Sequence, residues 1–478
     1  MQTINTDNIR TEFSTSADEN IRSMKKQIRI EENFDILTRE IIIGGKKAGF
    51  FFIDGFVRED MAEKLMQFFY SLKESDITSL DIFLEKGMPY TEVTRSGNVD
   101  YVITQFLSGV SIMTIDGFDE CLLIDCRTYP MRSVSEPWKD RVLRGSRDGF
   151  VETLVSNAAL LRRRIRDPRF SMELYGVGRR SRSDVAICYI SDSVDQSVLN
   201  RMRKLIQSID VDALTMNIES LAECMFTHKW INPFPKFKYS ERPDTATAAI
   251  LDGNIVIMVD NSPAVMIIPA SIFDIIEEAD DFNFSPMIGS YLRITRFFFS
   301  IVTWILTPLW LLFVNNPDWV PEFMKFVLIT DDITVPVLLQ LLILELAVDG
   351  LKLAAVNTPT MLSTPLSIVA GIVVGEYAVS SGWFNPEALL YMAVVTVGTY
   401  GQTNFEMGYA FKFLRVLTLI LTQIFNLGGF IAGVVISVLM IAFNRTITGK
   451  SYIYPLIPWD GKMLKRKVLR VRLPHSYK

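Results

Sequence analysis

Residues 291–445 string together several long apolar runs and place Glu345, Asp349, Lys352 and Glu376 inside them. A charge at membrane depth costs at least a few kcal/mol, so such residues persist where they face a pore, a proton path or a partner helix. The stretch therefore predicts a membrane domain with a conduction or coupling role. At 478 residues the chain is too long for one core, and at about 100–200 residues per domain it is expected to hold roughly two to four units. The net charge of −5 averages a charged region up to about Pro286, an apolar region and a basic tail from Lys450, so it says little about partners.

The N-terminal MQTINTDNIRTEF lacks the roughly 7–15-residue apolar core of a cleaved secretory signal, so the charged region is expected to stay cytoplasmic. Cys121, Cys126, Cys188 and Cys224 show no paired CxxC spacing and read as small buried residues of a reducing compartment. From Ala48, AGFFFIDGF reads as a strand and VREDMAEKLMQFFYSL as a helix, followed by two strand-like runs joined at Asp116-Gly117. The order recurs from Asp184: VAICYIS, VDQSVLNRMRKLIQSI, then TAAILDGNIVIMVDNSPAVMIIP with a turn expected at Asp252-Gly253. The expected fold class is an α/β cytoplasmic region of two similar subdomains plus a C-terminal α-helical transmembrane domain. Its divisions are a disordered or variable N-terminus (1–35), a first subdomain (36–135), an Arg-rich helical linker (136–182), a second subdomain (183–285), a membrane domain (286–445) and a basic cytoplasmic tail (446–478).

The linker helix is expected from about Phe150 to Arg166. Arg162, Arg163, Arg164 and Arg166 make it a candidate subunit or lipid contact, whereas interspersed acids and the stripe Phe150, Leu154, Ala158 and Leu161 argue against nucleic acid. Gly44-Gly45-Lys46 and Arg144-Gly145-Ser146 invite comparison with phosphate cradles, but neither completes G-x-x-x-x-G-K-[ST]. His228 has no nucleophile motif around it, so no catalytic residue, metal or cofactor is expected and the chain reads as a non-enzyme.

Arg293 and Arg296 precede the first apolar run and NNPDWVPE follows it, which places the N-terminal region inside. Residues 334–356, 366–383 and 388–403 are further expected spans, with Lys412 and Arg415 read as an internal flank. The last run, 413–443, would need about 14 residues per pass to return inside, so a re-entrant hairpin turning at Asn426-Leu427-Gly428-Gly429 is expected. Four spans plus this hairpin put both termini in the cytoplasm. Glu345, Asp349 and Lys352 fall at i, i+4 and i+7 on one helical face. Either Glu345 and Asp349 pair with Lys352 and the face packs, or the face lines an aqueous path. Glu376, beside Gly371-xxx-Gly375, reads as a helix-packing residue. In the tail, Lys465, Arg466 and Lys467 are candidate lipid or subunit contacts.

The strings RGSRDGFVETLVSNAALLRRRIRDPR, SERPDTATAAILDGNIVIMVDNSPAVMIIPA and SPMIGSYLRITRFFF…TPLWLLFVNNPDWVPE resemble the A-subunit family of bacterial spore germination receptors, with likeness from about Ile41 onward. The resemblance implies a multi-pass protein of the inner spore membrane that assembles into a homo-oligomeric ring, works with other germination membrane proteins and passes monovalent cations. It also implies two variants of that role, nutrient-gated receptor subunits and a branch that promotes ion release without sensing nutrients. No family catalytic residue maps onto this chain.

Overall fold

The structure is a computed structural model that describes residues 11–57, 59–85, 92–129, 142, 144–226, 232–357, 375–402 and 404–471. It separates into two compact units, the first ending at Pro269 and the second formed by the chain from Ala270 together with residues 232–236.

The first unit is one motif written twice. Its elements run α1 (Ala17–Gln27), β1 (Ile36–Ile43), β2 (Lys46–Ile53), α2 (Glu59–Ser71), α3 (Leu80–Glu85), β3 (Val93–Ser96), α4 (Val99–Leu107), β4 (Ser111–Ile115) and β5 (Cys121–Ile124). The same sequence of types follows as α5 (Leu154–Arg164), β6 (Phe170–Val177), β7 (Ser183–Ile190), α6 (Gln196–Gln207), α7 (Ile218–Met225), β8 (Lys238–Ser240), α8 (Pro243–Leu251), β9 (Ile255–Val259) and β10 (Val265–Ile268). The sheet orders, β1-β2-β4-β5-β3 and β6-β7-β9-β10-β8, correspond strand for strand. Every pairing between these strands is antiparallel, so the subdomains are similar as expected but α+β rather than α/β. Strand β2 alternates, with Phe51 and Ile53 in a core under α1 and α4 and Ala48 and Phe50 in a core under α2 and α3. Gly44 and Gly45, with φ of 49° and 81°, form the tight β1–β2 turn rather than a phosphate cradle.

The duplication reaches individual hydrogen bonds. Asn20 accepts from the Ser14 N–H at 2.9 Å and donates to its carbonyl, and Asn157 does the same with Val151 at 2.8 Å and 2.5 Å. The first residue of α1 donates to Asp116, and the first of α5 to Asp260.

This symmetry corrects three boundaries. Residues 17–27 do not belong to a disordered or variable terminus, because Ala17, Ile21 and Met24 bury one face of α1 in the first core. Helix α5 is not a linker, since Leu154, Ala158 and Leu161 sit in the core of the second sheet. Residues 243–251 are helix rather than strand, so the counterpart of Asp116-Gly117 is Asp260-Asn261, where Asn261 adopts φ 61°. Asp252-Gly253 is instead the exit from α8.

The second unit is helical: α9 (Ile272–Ile276), α10 (Asp280–Asn283), α11 (Pro286–Asn315), α12 (Val337–Asn357), α13 (Pro386–Tyr400), α14 (Phe405–Ala442) and α15 (Gly461–Val468). Among the described residues, α11 and α14 are long and apolar enough to cross a membrane. Helix α14 is broken at Asn426, which has φ 53° and ψ −130°. Beyond the break the chain doubles back: a Cβ built on Gly429 meets the Leu421 carbonyl, and one on Gly433 meets Thr418. Residues 405–425 and 427–442 are therefore antiparallel arms. The first arm reaches the ~20 residues of a full span because it starts at Phe405, well before the apolar run that was expected to define it.

Candidate functional site

Helices α12 and the first arm of α14 face each other through charge. Glu345 accepts from Arg415 through both oxygens, at 2.5 Å and 2.9 Å. Its main-chain carbonyl accepts from Lys412 at 3.2 Å. Asp349, one turn on, pairs with Lys412, whose ammonium is also 3.7 Å from Glu345. Arg415 donates its remaining amino group to the Thr303 carbonyl of α11, linking a third helix. Glu345 and Arg415 are almost fully buried. A pair buried this deeply is stable only when both charges are present and hydrogen-bonded.

Lys352 completes the face differently. Its ammonium lies 5.1 Å from the ring centre of Tyr400 and 5.5 Å from that of Tyr409. These groups, with Thr396, Thr399 and Gln402, line a small cleft.

The structure thus brings Glu345, Asp349 and Lys352 together, but Glu345 and Asp349 pair with α14 and not with Lys352. Lys412 and Arg415 were missed as site residues. In the sequence they read as an internal flank, whereas they lie within α14, with Arg415 at the level of Thr303 in α11. Their i, i+3 spacing, matched to the i, i+4 spacing of the two acids, was the available signal.

The other expected contacts are distributed unlike the sequence reading. Arg162 is fully buried, with Asp35 at 2.8 Å, Asn33 at 2.8 Å and the Phe170 carbonyl at 3.1 Å as its acceptors, and so reaches neither lipid nor subunit. Arg163 stacks on Tyr129 at 4.4 Å, Arg164 pairs with Asp148 at 2.6 Å, and Arg166 is exposed. Lys467 pairs with Asp274, so its charge is also held within the chain. Lys465 is exposed, and the Arg466 carbonyl accepts from Arg293 at 3.0 Å. Arg293 and Arg296 meet on buried Asp281, at 3.1 Å and 2.7 Å. Gly371 and the first half of 366–383, residues 366–374, lie outside the described residues. Among the described residues a Cβ at Gly375 meets nothing within 4 Å and Glu376 is exposed. His228 is likewise outside the described residues.

Comparison with known proteins matches this chain, over residues 22–478, to the family model described as Bacillus/Clostridium GerA spore germination protein. The chain belongs to that family. It is 34% identical to stage V sporulation protein AF of Bacillus subtilis (strain 168), over 94% of this chain and 91% of that one. It is 26% identical to spore germination protein GerLA of Bacillus cereus, over 95% and 93% of the two chains. Among solved structures, the N-terminal domain of the A subunit of the Bacillus megaterium spore germinant receptor GerK3 is 24% identical, with a TM-score of 0.42, covering 54% of this chain and 96% of that one. Family membership supports a role in spore germination and, with α11 and α14, an association with the membrane.

Proposed function

We propose that this protein is a membrane subunit of an oligomeric ion channel that promotes ion release during bacterial spore germination. The observation that carries the reading is the cluster of Glu345, Asp349, Lys412, Arg415 and Lys352 among apolar helices. Five ionisable groups are a costly way to hold helices together, and intramembrane charges of this kind characteristically mark ion and proton pathways. In this reading the two interhelical pairs latch α12 to α14, and ion passage requires the latch to shift. The protein acts without catalysing a reaction, as a homo-oligomer passing monovalent cations, alongside other germination membrane proteins. It is multi-pass in the inner spore membrane with both termini cytoplasmic, and exposed Lys465 faces membrane lipid.

A second reading, a non-conducting scaffold or nutrient-sensing receptor subunit, is favoured by the completeness of the Glu345–Arg415 pair, which is also what simple helix packing requires. Spores carrying Glu345→Gln at normal protein level and normal assembly separate the two. Slower potassium release is expected for the channel, and release at the parental rate overturns it in favour of the scaffold.

A further inference from the structure

The cleft between α12, α13 and α14 carries an uneven charge. Lys352, Lys412 and Arg415 line it against Glu345 and Asp349. Both carboxylates already hold a partner, Arg415 for Glu345 and Lys412 for Asp349. Lys352 is half-buried, and among the described residues its ammonium meets two tyrosine rings and no carboxylate. The segment that follows α12 supplies none either, because residues 358–374 contain no acidic side chain. An ammonium withdrawn from water without a counter-charge is destabilised, and aromatic faces compensate only in part.

The neutral donors around it narrow the choice further. Thr396 and Thr399 donate back to the carbonyls of Met392 and Val395, and Gln402 is engaged with Ser300. The donors that remain are Lys352 and the phenols of Tyr400 and Tyr409, which make no hydrogen bond among the described residues.

We propose that the cleft binds one small monovalent anion, chloride or a carboxylate, on Lys352 with the hydroxyls of Tyr400 and Tyr409 as its further donors. The deficit is a single charge, which sets the valence. Such an anion places negative charge beside the Lys412–Asp349 pair and so competes for Lys412, giving the latch a ligand to respond to. The proposal deepens the reading of this cleft as a functional site and rests on it.

The test uses full-length protein in detergent micelles and follows the NMR line width of chloride, which broadens when the ion exchanges with a protein site. Wild-type protein is expected to give excess broadening that Lys352→Met abolishes and Lys352→Arg retains. Sodium acetate that reverses the broadening identifies a site open to carboxylates, and acetate without effect identifies one confined to chloride. The double variant Tyr400→Phe, Tyr409→Phe keeps both rings and is expected to weaken binding, which guards against a Lys352→Met protein that fails to fold. Equal broadening in wild type, Lys352→Met and the tyrosine variant overturns the proposal. Because binding is read without ion flux, its failure leaves the potassium-release test of Glu345→Gln standing, and the reverse also holds.

Discussion

Arg162 and Arg163 are neighbours in the chain and differ completely in what removing them does. Arg162 joins α5 to the segment ahead of β1 through a two-pronged ion pair with Asp35, with both side chains essentially inaccessible. Truncating one member strands the other charge, so Arg162→Met is expected to destabilise the first unit by about 3–5 kcal/mol. Arg163 lies exposed over Tyr129, and Arg163→Met is expected to change stability by less than about 1 kcal/mol. Urea titrations of both variants followed by circular dichroism measure the difference, and equal effects would refute the assignment. Asn20 and Asn157 make a matched pair of the opposite kind, two equivalent buried amides in the two subdomains. Each Asn→Ala change leaves a backbone donor and acceptor without partners and is expected to cost about 1–3 kcal/mol. A large loss from one and none from the other would show that the duplication does not extend to energetics. The four arginines looked alike in the sequence because a run of like charges carries no record of the strand or loop each side chain will meet.

At the level of elements, the bend in α14 depends on what is missing from its glycines. Any Cβ at Gly429 would overlap the Leu421 carbonyl, and one at Gly433 would come within 2.9 Å of Thr418. Gly429→Val is therefore expected to splay the two arms and lower the amount of assembled protein. Gly428→Ala, where a Cβ meets nothing within 4 Å, is expected to leave it unchanged. The yield of folded, assembled protein in membranes reads the difference directly: parental yield for Gly428→Ala and its loss in Gly429→Val is the expected result. At the tip, Asn426 and Asn316 exchange amide hydrogen bonds at 2.6 Å and 2.8 Å, holding the reversal against the end of α11. Much of this level was legible in advance. Strands β2, β4 and β5 and helix α2 follow from period-two and helical spacing, whereas α1, β1 and β3 carry no such reading, and the Asn-Leu-Gly-Gly stretch points to a break. What was lost came from the same source in each case. TAAIL is a short apolar run that suits helix or strand equally, and only the following β9 and the packing of α8 decide it. Lys412 and Arg415 obey the rule that basic residues flank a span until acids on another helix are seen to face them.

For the molecule as a whole, two units mean two responses to acid. The first unit holds several carboxylates with cationic partners. Burial alone would push the Glu173 carboxyl up, but Arg203, Tyr175 and Tyr189 outweigh it and hold it below the usual range. Arg169 holds Asp167 below its usual value despite partial burial. At Asp148 burial again opposes, while Ser146 and Arg164 bring the carboxyl down. A carboxyl depressed in the folded state adds stability that is fully present above its unfolded value, near pH ~4, and disappears as pH falls through the lower folded value. The first unit is therefore expected to keep a constant unfolding midpoint from about pH 8 to 5 and to weaken progressively below about pH 4. Glu173→Gln should lower stability at neutral pH, because it removes the charge that Arg203 pairs with, yet flatten the acid-side decline. These three carboxyls all lie in the first unit. Thermal unfolding of full-length protein from pH 3 to 8 distinguishes the two units when circular dichroism follows the β-sheet and tryptophan fluorescence follows the second unit, which holds Trp304, Trp310, Trp319, Trp383 and Trp459. Sheet signal that weakens in acid ahead of the tryptophan signal is expected. A single transition moving in step for both, or a Glu173→Gln protein whose acid decline is as steep as the parent's, would contradict this account.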